Sequence, residues 1–115
     1  MDMSFAFTTE QIKNGTKNVT RRLGWKNLKP EQRLRAVHKC MGLKKGEKRQ
    51  VLRHIEVVSV KREPLNDFYC DPTEVRREGF PNMTPQEFIA MFCRGNKCAP
   101  GVMVTRIEFR YVEGD

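Results

Sequence analysis

The stretch from Gln50 to Arg62 restricts the fold more than any other part of the chain. It is rich in Val and Ile, which favour strands, and it is the longest strand candidate in the sequence. Its apolar side chains point to both faces of a strand: Val51, Ile55 and Val57 on one face, and Leu52, Val58 and Val60 on the other. Because both faces then need cover, the stretch is predicted to lie at the centre of a sheet.

Four shorter segments also have strand character. They are Ser4 to Thr8, Lys17 to Arg22, Leu34 to Cys40, and Val102 to Val112. Alternation predicts one buried face for the first of them, which contains the aromatic residues Phe5 and Phe7, and it turns Met103, Ile107, Phe109 and Tyr111 inward in the last. The basic segment from Gly42 to Lys48 is bracketed by glycines and is predicted to join two antiparallel strands.

Helix signals mark three further segments. Thr8 or Thr9 begins a short helix that runs to Lys13 and is stopped by Gly15. Asp71 and Thr84 each precede a proline and stand three residues before a glutamate, the pattern of a capped helix start. The order of strands and helices predicts one α+β domain over residues 1–115, built around a curled, barrel-like mixed sheet with flanking helices.

The charge of the chain favours an anionic partner. Lys and Arg number 22 against 14 Asp and Glu, a net charge of +8 over 115 residues. Such a field attracts RNA, DNA or nucleotides. No apolar run is long enough to span a bilayer and the amino terminus does not resemble a secretory signal, so we expect no membrane partner and a cytoplasmic location.

The cysteines are expected to be reduced. Cys40, Cys70, Cys93 and Cys98 are enough for two disulfides, but in the cytoplasm free thiols are the default. His38 with Cys40, and Cys93 with Cys98, offer pairs of metal ligands, yet neither pair has the two-residue spacing of a zinc knuckle. We therefore predict no metal site and no cofactor.

The segment from Gly15 to Arg22 concentrates reactive side chains. It places Lys17, the hydroxyl of Thr20, and the guanidinium groups of Arg21 and Arg22 where a turn runs into a strand. Residues three apart in a regular strand face opposite sides, so Lys17 and Thr20 converge only if Lys17 still lies in the turn. This combination of groups is typical of a site for an anion or a nucleotide.

Four motifs along the chain resemble the ASCH domain family of the PUA-like superfamily. They are Gly15-x-Lys17-x-x-Thr20-x-Arg22, Leu43-Lys44-Lys45-Gly46-Glu47, Arg62-Glu63-Pro64-Leu65, and Glu78-Gly79-Phe80 running into Thr84-Pro85-Gln86-Glu87-Phe88. The segment from Leu28 to Gln32 departs from the family, whose members often have a glycine-acidic turn after the proline. The resemblance implies a PUA-like β-barrel with flanking helices and a cleft beside the first motif.

The same resemblance implies a function in RNA or modified-base recognition. Some small ASCH proteins look like amidohydrolases that remove an acyl group from the exocyclic amine of cytidine, and others are linked to RNA cleavage. By motif, their catalytic Lys, Thr and Glu correspond to Lys17, Thr20 and Glu78. Thr20 as nucleophile would need a neutral Lys17 to accept its proton.

Binding without chemistry is the main expectation from the sequence. RNA, another single-stranded nucleic acid or a modified nucleoside is expected in a basic cleft, with Trp25 stacking on an unpaired base. The predicted binding residues are Lys17, Arg21, Arg22, Trp25, Lys44, Lys45 and Lys48. An amidohydrolase or a ribonuclease is the enzymatic alternative, and a module that binds an acidic protein is a third possibility. The oligomeric state is open.

Overall fold

A computed structural model describes residues 1–68 and 71–114. Cys70, one of the four cysteines predicted to be reduced, lies outside the described residues. The strands are β1 (Asp2–Ser4), β2 (Val19–Arg22), β3 (Arg33–Val37), β4 (Val51–Pro64) and β5 (Met103–Val112). The helices are α1 (Thr9–Lys13), α2 (Pro72–Arg77) and α3 (Pro85–Asn96), and two short 3-10 segments cover Ala6–Thr8 and Leu65–Phe68.

The five strands form one sheet in the order β1-β3-β4-β5-β2. β4 is therefore the central strand, as its two apolar faces predict, and it pairs antiparallel with β3 and β5. A bulge between Val57 and Ser59 shifts the register, and Val58, the unpaired residue, is exposed rather than buried. β1 pairs parallel with β3.

The α+β class is confirmed, but a closed barrel is not. β1 and β2 are the two edges of the sheet, and within residues 1–68 and 71–114 no backbone ladder joins them. One side-chain bond crosses the gap, since Arg22 Nη2 donates to the Ser4 carbonyl at 2.7 Å. The open side of the sheet thus lies beside the Gly15 to Arg22 segment.

Outside β4, two predicted orientations are wrong. The first strand ends at Ser4, opposite Val37, and the chain continues as a 3-10 turn that leaves the Phe7 side chain 93% exposed. Met103 is 45% exposed, because the second apolar cluster packs against the neighbouring Val104 and so turns Met103 to the other side. Phe5, Ile107 and Phe109 are buried as predicted.

The helices begin where the capping residues predict. Asp71 accepts a hydrogen bond from the Thr73 amide, and Thr84 and Glu87 form a complete capping box at the start of α3. The Glu74 carboxylate, which the sequence pattern assigns to capping, instead contacts arginines of the sheet. α2 and α3 cover one apolar cluster around Leu65 and Val104, while α1 covers part of another around Phe5 and Phe109. In the described part of the chain, no helix is long and apolar enough to cross a membrane.

Candidate functional site

Lys17 lies in the turn between α1 and β2, not in the strand. The backbone amides of Thr16 and Lys17 both donate to the Gln11 carbonyl, and Gly15 supplies the left-handed φ of +76° that the turn requires. The strand begins only at Val19. The geometric condition for Lys17 and Thr20 to face the same space is therefore met.

Glu78 is brought to Lys17 by a glycine that follows it. Glu78 is the residue directly after α2, and Gly79 turns the chain with φ of +104°. A Cβ atom at position 79 would lie 2.8 Å from Gln11 Cγ and 3.5 Å from Lys17 Cβ. Only glycine permits this close approach, which fixes the carboxylate beside the Lys17 turn.

Lys17 and Glu78 form a buried ion pair. Lys17 Nζ donates to Glu78 Oε1 at 2.7 Å and to the Glu78 carbonyl oxygen at 2.8 Å. The second carboxylate oxygen, Oε2, accepts from Arg21 Nη1 at 2.9 Å. The three side chains are at most 3% exposed. A single carboxylate thus holds two buried cations.

Arg21 extends this network towards α2. Its Nη2 also donates to Glu74 and lies 3.8 Å from Glu63 Oε2. Glu74 in turn accepts from Arg106 Nε at 2.7 Å, and these arginines hold the pKa of Glu74 near 2 despite its partial burial. The charge of Arg21 is therefore balanced several times over, so Arg21 anchors Glu78 rather than presenting a free cation.

The pKa of Lys17 is lowered from its ordinary value of 10.5. Burial is the largest cause, because the charged amine loses its hydration in the protein interior. The Glu78 carboxylate raises the pKa, while the nearby charges of Arg22 and Arg21 lower it further. The net effect is that the Lys17 amine loses its proton at a lower pH than an ordinary lysine does.

Thr20 and Arg22 form the second half of the site. Arg22 Nε donates to Thr20 Oγ1 at 3.1 Å, and its guanidinium lies 4.7 Å from the centre of the Phe5 ring. Burial lowers the pKa of Arg22 to about 10. Among the described residues, no carboxylate lies within ion-pair distance of Arg22. The Thr20 hydroxyl therefore sits against a guanidinium whose charge is not balanced by contact.

These groups share one cavity of about 480 Å³, between the sheet edge and α3. This volume falls within the range of small-ligand pockets, roughly 300–1,000 Å³. One part of its lining is polar, and the other is apolar and comes from α3, the segment around Phe5 to Phe7, Leu23 and Phe80. The cavity is lined by Lys17, Thr20, Arg21, Arg22 and Glu78, together with Ser4, Phe5, Ala6, Phe7, Thr8, Leu23, Phe80, Phe88, Met91, Phe92, Arg94, Gly95 and Asn96.

The other predicted binding residues lie elsewhere. Trp25 is partly buried, adopts a φ of +59°, and packs against the apolar cluster around Phe5 and Phe109. Lys44, Lys45 and Lys48 are exposed on the loop between β3 and β4. None of the four lines the 480 Å³ cavity.

Several cavity residues are not predicted by the sequence patterns. Alternation predicts that Phe7 is buried on one face of a strand. The sequence pattern therefore does not indicate that Phe7 lies at the cavity. Phe88, Met91, Phe92 and Gly95 follow the i, i+3, i+4, i+7 spacing of one helix face. Extending that apolar face by one turn would have predicted Gly95 as a cavity residue. Arg94 is its neighbour in sequence and could have been found in the same way.

The cysteines and histidines show no metal cluster in residues 1–68 and 71–114. No group of three or more His, Cys, Asp or Glu side chains has a suitable arrangement there. Cys40, Cys93 and Cys98 are free, and His38 Nδ1 is hydrogen bonded to Thr9 Oγ1 at 2.9 Å.

The fold is shared with solved structures. No family model matches the sequence, and no curated protein matches it. An ASCH domain from Lactobacillus crispatus JV V101 is 14% identical with a TM-score of 0.57, over 96% of this chain and 77% of that one. Protein EF3133 from Enterococcus faecalis V583, of the family model DUF984, is 16% identical with a TM-score of 0.61, over 92% and 67%. Hypothetical protein PH0355 is 15% identical with a TM-score of 0.65, over 96% and 97%.

These similarities establish the fold of the chain. The resemblance to the ASCH domain that the four motifs indicate is confirmed at this level, since an ASCH domain structure is among the neighbours. The chain has the ASCH fold.

Proposed function

We propose that the protein is an amidohydrolase that removes an acyl group from the exocyclic amine of a cytidine-type base. The substrate would occupy the 480 Å³ cavity, with Lys17, Thr20 and Glu78 as the reacting set. One observation carries the proposal: a fully buried lysine with a lowered pKa shares a nucleoside-sized cavity with a threonine hydroxyl. A lysine that served only as a phosphate contact would gain nothing from a lowered pKa.

The hydrogen bonds of Lys17 suit a general base. A neutral amine has two protons and one lone pair, and Lys17 has two acceptors, both on Glu78. With both protons engaged, the lone pair is the one position left to accept a proton, and Thr20 lines the same cavity. Glu78 therefore orients the base, in the way that a third group orients the base of other nucleophile pairs.

The reaction then proceeds through an acyl-enzyme. Lys17 takes the hydroxyl proton as Thr20 Oγ1 bonds to the acyl carbon, and the carbon–nitrogen bond breaks as the Lys17 ammonium returns the proton to the departing cytosine amine. Water, deprotonated by Lys17, next attacks the acyl carbon of the Thr20 ester; the bond to Thr20 Oγ1 breaks as the Lys17 ammonium returns the proton to that oxygen, and the carboxylic acid is released. Arg22 Nε, 3.1 Å from Thr20 Oγ1, stabilises negative charge that develops at that oxygen.

The Thr20→Val variant tests the nucleophile. Valine keeps the shape of threonine but has no hydroxyl, so kcat/KM for N4-acetylcytidine is expected to fall by at least about a thousandfold. Release of cytidine, followed by chromatography, measures the rate, and thermal unfolding checks the fold. Thr73→Val, at an exposed position of α2, is the matched control. Absence of turnover by the unmodified protein on a panel of acylated nucleosides would refute the proposal.

Binding to single-stranded RNA is the second candidate function, and the lysine loop between β3 and β4 favours it. Lys44, Lys45 and Lys48 are exposed, and within the described ranges none has an ion-pair partner. The loop begins beside the cavity wall, where Ser4 Oγ donates to the His38 carbonyl.

Substitution of the three loop lysines by glutamine tests this candidate. The slope of log affinity against log salt for a single-stranded RNA is expected to decrease by about 0.7 for each phosphate that the loop no longer neutralises. A charge-matched control carries Lys26→Gln, Lys29→Gln and Lys61→Gln, three exposed lysines outside the loop. Equal slopes for the two triple variants would show that the loop is not the binding surface.

A further inference from the structure

The charges on the cavity wall are not all balanced. Lys17 and Arg21 are paired with carboxylates, as described above. Arg22 and Arg94 also line the cavity, and neither has a carboxylate within 4.0 Å in the part of the chain that the structure describes. Two guanidinium groups of this cavity are therefore available to an anionic ligand.

These two guanidinium groups differ in position and in their hydrogen bonds. Arg22 is largely enclosed, and its Nε and Nη2 are engaged by Thr20 and the Ser4 carbonyl. Arg94 lies in the last turn of α3, is exposed, and makes no side-chain hydrogen bond to a described residue. Arg22 thus belongs with the reacting hydroxyl, whereas Arg94 is free to bind a charged group of the ligand that stays exposed to solvent.

Phe7 provides an aromatic surface at the same cavity. Its side chain is 93% exposed, although it is a large apolar group. An exposed aromatic ring beside basic groups is the usual platform on which a nucleobase stacks. Phe80 and, from α3, Met91 and Phe92 add apolar lining.

We infer that the natural ligand of this cavity is a nucleotide rather than a nucleoside or a free base, with Arg94 binding its phosphate and Phe7 stacking on its base. The inference rests on the proposed function in one respect: the cavity must accept a nucleobase. It does not depend on hydrolysis. Arg94 gives phosphate selectivity because guanidinium forms two parallel hydrogen bonds with phosphate oxygens.

Calorimetric titration with cytidine and with its 5′-monophosphate tests the inference. The unmodified protein is expected to bind the monophosphate at least about tenfold more tightly, the contribution of one charge-assisted hydrogen bond. Arg94→Gln is expected to remove that preference, so that the two ligands bind with equal affinity. Phe7→Ala is expected to reduce the affinity for both ligands by the same factor.

Arg76→Gln is the control, since Arg76 is an exposed arginine of α2 that does not line the cavity. Inorganic phosphate is titrated as well, to separate phosphate binding alone from recognition of the whole nucleotide. Equal affinity for cytidine and its monophosphate, no binding of either, or equal losses in Arg94→Gln and Arg76→Gln would each overturn the inference. A phosphate preference without turnover of any acylated substrate would support it and refute the amidohydrolase proposal.

Discussion

The Glu78→Ala variant is expected to lose about 3–5 kcal/mol of the free energy of unfolding, which is the usual cost of removing one partner from a buried ion pair. The Glu78 carboxylate binds both Lys17 and Arg21 in the interior, at 2.7 and 2.9 Å. Alanine would leave Lys17 without a carboxylate and with only a backbone carbonyl as acceptor. Urea unfolding followed by circular dichroism measures the loss.

Two further variants test whether the loss of stability comes from the buried ion pair itself. Lys17→Met combined with Glu78→Ala removes the buried amine as well, so the double variant is expected to be more stable than Glu78→Ala alone. Glu10→Ala breaks the exposed pair with Lys13 and is expected to change stability little. If Glu78→Ala unfolded at the same urea concentration as Glu10→Ala, the buried pair would not stabilise the fold.

The parts of the fold that local chemistry determines can be predicted from the sequence. The central strand follows from the apolar pattern of Gln50 to Arg62, and the starts of α2 and α3 follow from capping side chains that contact backbone within three residues. The motif resemblance places Lys17, Thr20 and Glu78 at one site, and they do line one cavity. Composition and spacing alone do not predict that Glu78 contacts Lys17, which lies 61 residues earlier in the chain.

The features that the sequence patterns miss depend on tertiary context. Whether Phe7 continues a strand is decided by the length of β3, its partner, which ends at Val37. The side to which Met103 turns is decided by the helices packed against Val104. The contacts of Glu74 with Arg21 and Arg106 join three distant segments, and nothing in their local sequence indicates the pairing. The end of a strand, the direction of a side chain and the partner of a charge depend here on packing between distant segments. Local sequence patterns therefore do not predict them.

The proposed chemistry makes the activity depend on pH with a definite sign. Lys17 acts as base only when neutral, so kcat/KM is expected to rise as pH increases and to level off above the pKa of Lys17 in the free enzyme. Burial lowers that pKa from 10.5, and the plateau is therefore reached at a lower pH than an ordinary lysine would allow. Lys17→Met removes the base and is expected to reduce kcat/KM by about 10²–10⁴-fold.

Two neighbouring charges shift the rising limb of the pH profile of kcat/KM in opposite directions. The Glu78 carboxylate raises the pKa of Lys17, so Glu78→Gln, which keeps an oxygen acceptor, is expected to shift the rising limb to lower pH. Arg22 lowers the same pKa, so Arg22→Gln is expected to shift the limb to higher pH, whatever its effect on the plateau rate. A pH profile of kcat/KM for each variant measures both shifts. Since a residue with a merely structural role would change the plateau but not the limb, limbs that stay in place in both variants would exclude Lys17 as the base.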